Sequence, residues 1–167
     1  MTKDTASMEE NTINFAKIAK IIIEVAGYIL QDILAAYTNP LTLVHGTDIL
    51  NEKQQNSFDN IPDIGNFSAC DLSTLYILCK NNLSPLFEPS SGWEAFSSLE
   101  EINENDQLPG DDIERFKLWQ LKLSSLSEPR LSTITYRSWF NDLKVIISRF
   151  DDSHGRYVHS FVYLFYH

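Results

Sequence analysis

From Ile13 to Tyr37 the chain carries a row of apolar side chains, Ile18, Ile22, Val25, Ile29 and Ile33, flanked by Phe15, Ala19, Ala26 and Leu30. Recurrence at three and four residues places them on one side of an α-helix of about seven turns. Ile21, Ile22 and Ile23 make that helix apolar nearly all round, so other elements or lipid must cover it. Lys17, Lys20, Glu24 and Asp32 interrupt the run too often for the ~20 apolar residues of a membrane span. The stretch therefore predicts the central helix of an all-α bundle, closed by Thr38-Asn39-Pro40.

Two more helices are equally legible. Leu108 to Leu131 begins with Pro109 and Gly110 as breakers, Asp111 as cap, and Asp112 and Glu114 at the positive end of the helix dipole. Ile113, Phe116, Trp119 and Leu123, widened by Leu118 and Leu121, form its inward stripe, and Glu128-Pro129 ends it. From Thr133 to Phe150, capped by Ser132 or Thr133, Tyr136, Trp139, Phe140, Leu143, Ile146, Ile147 and Phe150 trace a broad apolar face. A shorter helix opens at Cys70-Asp71-Leu72 and ends near Asn81-Asn82, with Leu72, Leu75, Leu78 and Cys79 at helical spacing. Between Leu41 and Ala69 the pattern is weaker: short helical pieces at Leu41–Leu50 and Asn51–Phe58, then a turn at Ile61–Gly65.

The 167 residues, 43% hydrophobic and 12% aromatic, suit one domain with a real core. We expect residues 1–11 to be a disordered polar N-terminus, 12–150 the single-domain helical bundle, and 151–167 a short aromatic tail. The opening MTKDTASMEENT lacks the basic-then-apolar order of a secretory signal, which points to a cytoplasmic or nuclear protein. Cys70 and Cys79 fit neither a disulfide framework nor a zinc site, so they read as reduced, partly buried thiols.

The charge is unevenly spread. The formal net charge is -10, which disfavours a nonspecific DNA, RNA or anionic-membrane surface. Leu83 to Asp106, rich in Pro, Ser and Gly, reads as a long acidic loop between the second and third main helices. Glu88, Glu94, Glu100, Glu101, Glu104 and Asp106 lie there, and no Lys or Arg occurs before Arg115. Such a strip is either a solvated loop or a docking surface for a basic partner, and Trp93 is its one large anchor, expected to pack back on the bundle. Arg115 to Arg149, by contrast, holds seven basic side chains against Glu128 and Asp142, a local +5. Arg115 and Lys122, and Arg137 and Lys144, stand seven apart and so return to one face of their helices. They either answer the acidic loop in cis or bind RNA, the first being favoured.

Further motifs support a resemblance. The long first helix, then Cys70-Asp71-Leu72-Ser73-Thr74-Leu75-Tyr76-Ile77-Leu78, Pro89-Ser90-Ser91-Gly92-Trp93, Asp112-Ile113-Glu114-Arg115 and Trp139-Phe140-Asn141-Asp142-Leu143, in that order, resembles the HEPN-type helical domain of the DAZ-interacting zinc-finger ubiquitin ligase and of invertebrate immune-type proteins. The likeness implies a bundle that pairs, as a homodimer, and acts in protein or RNA association. Active members carry an Arg followed four to six residues later by His on the third main helix. Here Gln120 stands at the arginine position, with Leu121 and Leu126 for its polar neighbour and the histidine. Neither Gln nor Leu can take a 2′-hydroxyl proton or neutralise a phosphate, so the resemblance implies a pseudoenzyme.

One other pair has the right spacing, Arg149 and His154, but it lies past the final bundle helix beside Asp151 and Asp152, which repel phosphate. His45 stands alone and reads as a packed or surface histidine. No phosphate loop, metal-ligand spacing or catalytic triad is present, so no cofactor and no metal are expected. The sequence thus predicts a noncatalytic protein-interaction and dimerisation module in cytosolic, innate-immune-type signalling. Pairing is expected through bundle faces rich in Trp and Phe, and Trp93, Arg115, Lys122, Arg137 and Lys144 are the interaction candidates. RNA binding or metal-independent RNA cleavage through Arg149, His154 and the basic helical pair is the alternative.

Overall fold

A computed structural model describes residues 3–83 and 85–151, and these are all-helical, with no strand among them. In chain order they form α1 (Lys3–Lys20), a π-helical turn (Ile21–Val25), α2 (Ala26–Tyr37), α3 (Glu52–Ile64), α4 (Leu72–Asn82), a 3-10 turn (Leu99–Glu101), α5 (Pro109–Ser124) and α6 (Thr133–Phe150). Their contacts group into two compact units, one of residues 3–25 with 120–151, the other of residues 26–119. No helix among the described residues is long and apolar enough to cross a membrane.

In the first unit α1 packs along α6. Ile18, Ile21, Ile22 and Val25 are buried from one side, and Tyr136, Trp139, Leu143, Ile146 and Ile147 from the other. Residues 1–11 were expected to lie outside the helix, yet it begins at Lys3. The reason is tertiary: Leu131 N–H bonds the Asn11 carbonyl at 2.9 Å, Thr133 Oγ1 donates to Glu10 at 3.0 Å, and buried Asn14 Nδ2 donates to the Leu131 carbonyl at 3.3 Å. These contacts secure a polar stretch that has little apolar surface of its own. Ser132 caps α6 by accepting from Thr135 N–H, and the helix spans the range its apolar face predicts.

The predicted first helix is continuous in length but not in kind. The π turn is closed by wider bonds than an α turn, which shifts the register of buried positions along α2. Ile29 and Leu30 are buried as expected, but Leu34 takes the covered position and Ile33 is only half-buried.

In the second unit α4 packs on α2 and α3. Asp71 caps α4, accepting from Thr74 N–H at 2.9 Å. A reciprocal pair starts α3: Gln54 N–H donates to Asn51 Oδ1 at 2.9 Å, and Asn51 N–H to Gln54 Oε1 at 3.0 Å. The turn expected at Ile61–Gly65 is instead the last turn of α3, which tolerates Pro62 and stops at Gly65, whose φ of 73° forms a left-handed cap. The short helical piece expected at Leu41–Leu50 is absent; this stretch is turns and irregular chain tied to α4 by bonds such as Val44 N–H to Asn82 Oδ1. Both cysteines are buried and free, and burial pushes the Cys70 thiol up to about 11.

Helix α5 begins at Pro109, a residue suited to the first helical position because its missing N–H would be unpaired anyway. It ends at Ser124, short of Glu128-Pro129, where Ser124 and Ser125 hydroxyls bond the Gln120 and Lys122 carbonyls and compete with the ladder. Ile113, Phe116, Leu118, Trp119 and Leu123 are buried as predicted, whereas Leu121 is exposed. At Gly110 the helix meets the loop so closely that a Cβ would sit 2.1 Å from the Phe87 carbonyl oxygen and 2.6 Å from Pro89 N. At Gly27, inside α2, a Cβ would meet nothing within 4 Å. Opposite outcomes are expected in denaturant unfolding: Gly110→Ala loses about 1–3 kcal/mol to overpacking, and Gly27→Ala gains about 0.4–1 kcal/mol from a stiffer unfolded chain.

Candidate interaction site

The first two turns of α5 carry Asp111, Asp112, Glu114 and Arg115, and all four are buried. A buried charge must be paired and hydrogen-bonded to be tolerated. Each of these finds its partner on the chain between α4 and α5, on α4 or within α5 itself.

Asp111 accepts from Ser90 N–H at 2.7 Å, from the Ser90 hydroxyl at 2.7 Å and from Leu108 N–H at 3.0 Å. It therefore caps the approach to α5 and pins the loop at Ser90. Asp112 pairs with Arg115 at 2.9 Å, one helical turn away, and Arg115 also donates to the Asn103 carbonyl at 2.9 Å. Glu114 accepts from the Tyr76 hydroxyl and from the Glu94 backbone N–H. Burial pushes its carboxyl above the usual range, more than these bonds and nearby Lys117 draw it down. Burial and the Glu114 carboxylate push the Tyr76 hydroxyl up in turn.

Around Tyr76 the network continues. The Trp93 ring meets Tyr76 edge-on at 6.0 Å, and its Nε1 donates to Glu88 at 3.1 Å. Lys117 Nζ lies 4.6 Å from the centre of the Tyr76 ring and 3.1 Å from Glu94. Lys80 reaches Glu94 at 3.5 Å and Asp48 at 2.6 Å, and Asn81 holds the other Asp48 oxygen at 2.6 Å. Burial opposes ionisation at Asp48 and Glu94, but the lysine bonds outweigh it and hold both carboxyls low.

The loop is thus anchored at Ser90, Glu94 and Asn103. Glu100, Glu101 and Glu104 remain exposed, with Ser97 N–H donating to Glu101 at 2.8 Å to shape the turn between. Chemically, the arrangement holds an acidic surface in place.

The interaction candidates fare unequally. Trp93 packs back on the α4 residue Tyr76, as expected. Arg115 is not an outward residue: Asp112 and the Asn103 carbonyl draw it inside. It and Lys117 do answer the loop in cis. In the other unit Lys122 is half-buried, its Nζ 5.2 Å from the Trp139 ring centre, while Arg137 and Lys144 are exposed on α6. Phe116 and Trp119, read as the inward stripe of α5, are buried, as is Trp139 on α6. Arg149 is half-buried in the last turn of α6, and His154 lies outside the described residues. His45 packs edge-on against Phe58 at 5.3 Å. Among the described residues no three His, Cys, Asp or Glu side chains gather as metal ligands.

Sequence reasoning missed the roles of Tyr76, Lys80, Glu94 and Asp48, which are separated along the chain. The spacing of Asp112 and Arg115 was the one local sign of a pair. Comparison with protein-family models, with curated protein sequences and with solved structures yields no match.

Asp111→Ala strands the Ser90 and Leu108 N–H groups; we expect a loss of about 2–4 kcal/mol and new proteolytic cleavage within residues 85–106. Glu114 gives a pH signature. A carboxyl raised in the folded state costs nothing while protonated and destabilises as pH rises from 4.5 through its raised value. Glu114→Gln removes that penalty, so its stability relative to the parent grows as pH is raised over that window. A difference independent of pH would contradict the assignment.

Proposed function

We propose that the chain is a noncatalytic protein-interaction module that docks a basic segment of a partner protein on its acidic segment, within cytosolic signalling of the innate-immune type. The observation that supports this is the anchoring itself. The buried charges of α5 are used to hold a long connection in one shape, so the ordering entropy a flexible loop would lose on binding is already spent. Glu100, Glu101 and Glu104 face solvent from that held segment. Carboxylates fixed on one surface favour a basic partner and speed encounter with it.

The HEPN-type resemblance supports the signalling context and pairing with a second copy. Burial of Phe116, Trp119 and Trp139 leaves pairing to other surfaces. Light scattering that finds only monomer at high concentration would remove pairing from this reading.

For the docking itself, fluorescence anisotropy with a Lys/Arg-rich helical peptide compares the parent chain with Glu100→Gln/Glu101→Gln/Glu104→Gln. We expect binding that weakens with salt and falls roughly tenfold in the variant. Equal binding by the two contradicts the proposal. RNA cleavage by the intact chain that is lost in His154→Ala would overturn the noncatalytic reading.

A further inference from the structure

Glu94 has a φ of 58°, and it is the one non-glycine with a positive value among the described residues. A residue with a side chain holds the left-handed backbone only where its surroundings compel it, and such strain gathers at ligand clamps and switches. Here the Glu94 backbone N–H is held by buried Glu114, and its carboxylate is held by two lysines. Glu94 Oε1 lies 3.5 Å from Lys80 Nζ and 3.1 Å from Lys117 Nζ.

The parts are not equivalent. Lys80 and Lys117 stand on α4 and α5, their side chains only 14% and 27% exposed, while Glu94 is 50% exposed on the loop. The cations belong to the rigid scaffold, and the anion belongs to a strained, solvent-accessible corner. We propose that Lys80 and Lys117 form a seat for a phosphate group, which Glu94 fills from within as a displaceable intramolecular anion.

Phosphate is favoured by the competition. An incoming carboxylate would exchange like for like and lose to the effective concentration of the tethered Glu94. A phosphate monoester carries nearly two charges and three strong acceptor oxygens, so it gains more from two ammonium groups. Lys80 keeps Asp48 at 2.6 Å, but an ammonium has three donors and can serve both. Glu114 is a further carboxyl nearby; burial pushes it toward its neutral form, which limits its repulsion. Release of the Glu94 carboxylate changes the surroundings of its own amide, and of Trp93, the adjoining residue, which meets Tyr76 edge-on. The corner therefore reports occupancy.

The test is an amide and indole NMR titration of the full chain at constant ionic strength, with inorganic phosphate and with a phosphoserine peptide, following Glu94 and Trp93. In Glu94→Gln, which keeps the side-chain shape without the charge, phosphate should bind on the order of tenfold tighter than in the parent. Glu94→Gly, which also relieves the backbone, should do the same and serves if the glutamine variant does not fold. Adding Lys80→Ala and Lys117→Ala to either should abolish the effect. Peptide binding tighter than the free ion assigns the seat to a phosphorylated side chain, and equal binding assigns it to free phosphate. The proposal is overturned if the Glu94 variants bind phosphate no better than the parent, or if loss of both lysines leaves binding intact.

Discussion

Burying charge is the constraint on which the region around α5 depends. Asp111, Asp112, Glu114 and Arg115 enter the protein within five residues of one helix. Desolvating each costs several kcal/mol unless partners replace the lost water. Asp112 and Arg115 satisfy part of each other, and the rest comes from outside the helix: Ser90, Leu108, Asn103, Tyr76 and the Glu94 backbone. The chain between α4 and α5 is therefore required by the helix as much as the helix is required by it. Gly110 marks the closeness of the two, since any side chain there would displace the Phe87–Pro89 backbone.

This reciprocity gives the acidic segment its character. Composition alone describes a long, Pro- and Ser-containing, negatively charged connection of the kind that usually stays mobile. Here its inward groups serve as hydrogen-bond partners for buried charge, and its outward carboxylates are carried along into fixed positions. The Lys80–Glu94–Lys117 bridge adds a second kind of hold, weaker because it is exposed to solvent. A segment held by strong buried bonds and a weak exposed one has a built-in order of opening, in which the Glu94 carboxylate leaves the lysines before the backbone bonds to Asp111 and Glu114 break.

How much of this is legible in the chain depends on range. Helices α4, α5 and α6 are legible because period and caps are local: Asp71, Pro109 and Ser132 each mark a start within a residue or two. The helical N-terminus is not, because Glu10, Asn11 and Asn14 are secured by residues 131 and 133. The end of α3 escapes because Pro62 signals a break that the last turn of a helix can accommodate. The site is half visible. Asp112 and Arg115 stand at i and i+3, but periodicity places Arg115 outside, since nothing in a single helix reveals that a distant Asn103 carbonyl draws it in. Glu94 gives no sign at all, because what holds it, Glu114 on its backbone and lysines 14 and 23 residues away on its carboxylate, is distant in the chain.

The central claim is that the segment between α4 and α5 is part of the fold, ordered by the buried charges of α5. Native-state hydrogen exchange addresses it directly. The amides of Ser90 and Glu94, donors to Asp111 and Glu114, should exchange as slowly as the interior amides of α5, because opening them uncovers the same charges. Exchange at these two amides as fast as in unstructured chain, with α5 still protected, would contradict the account.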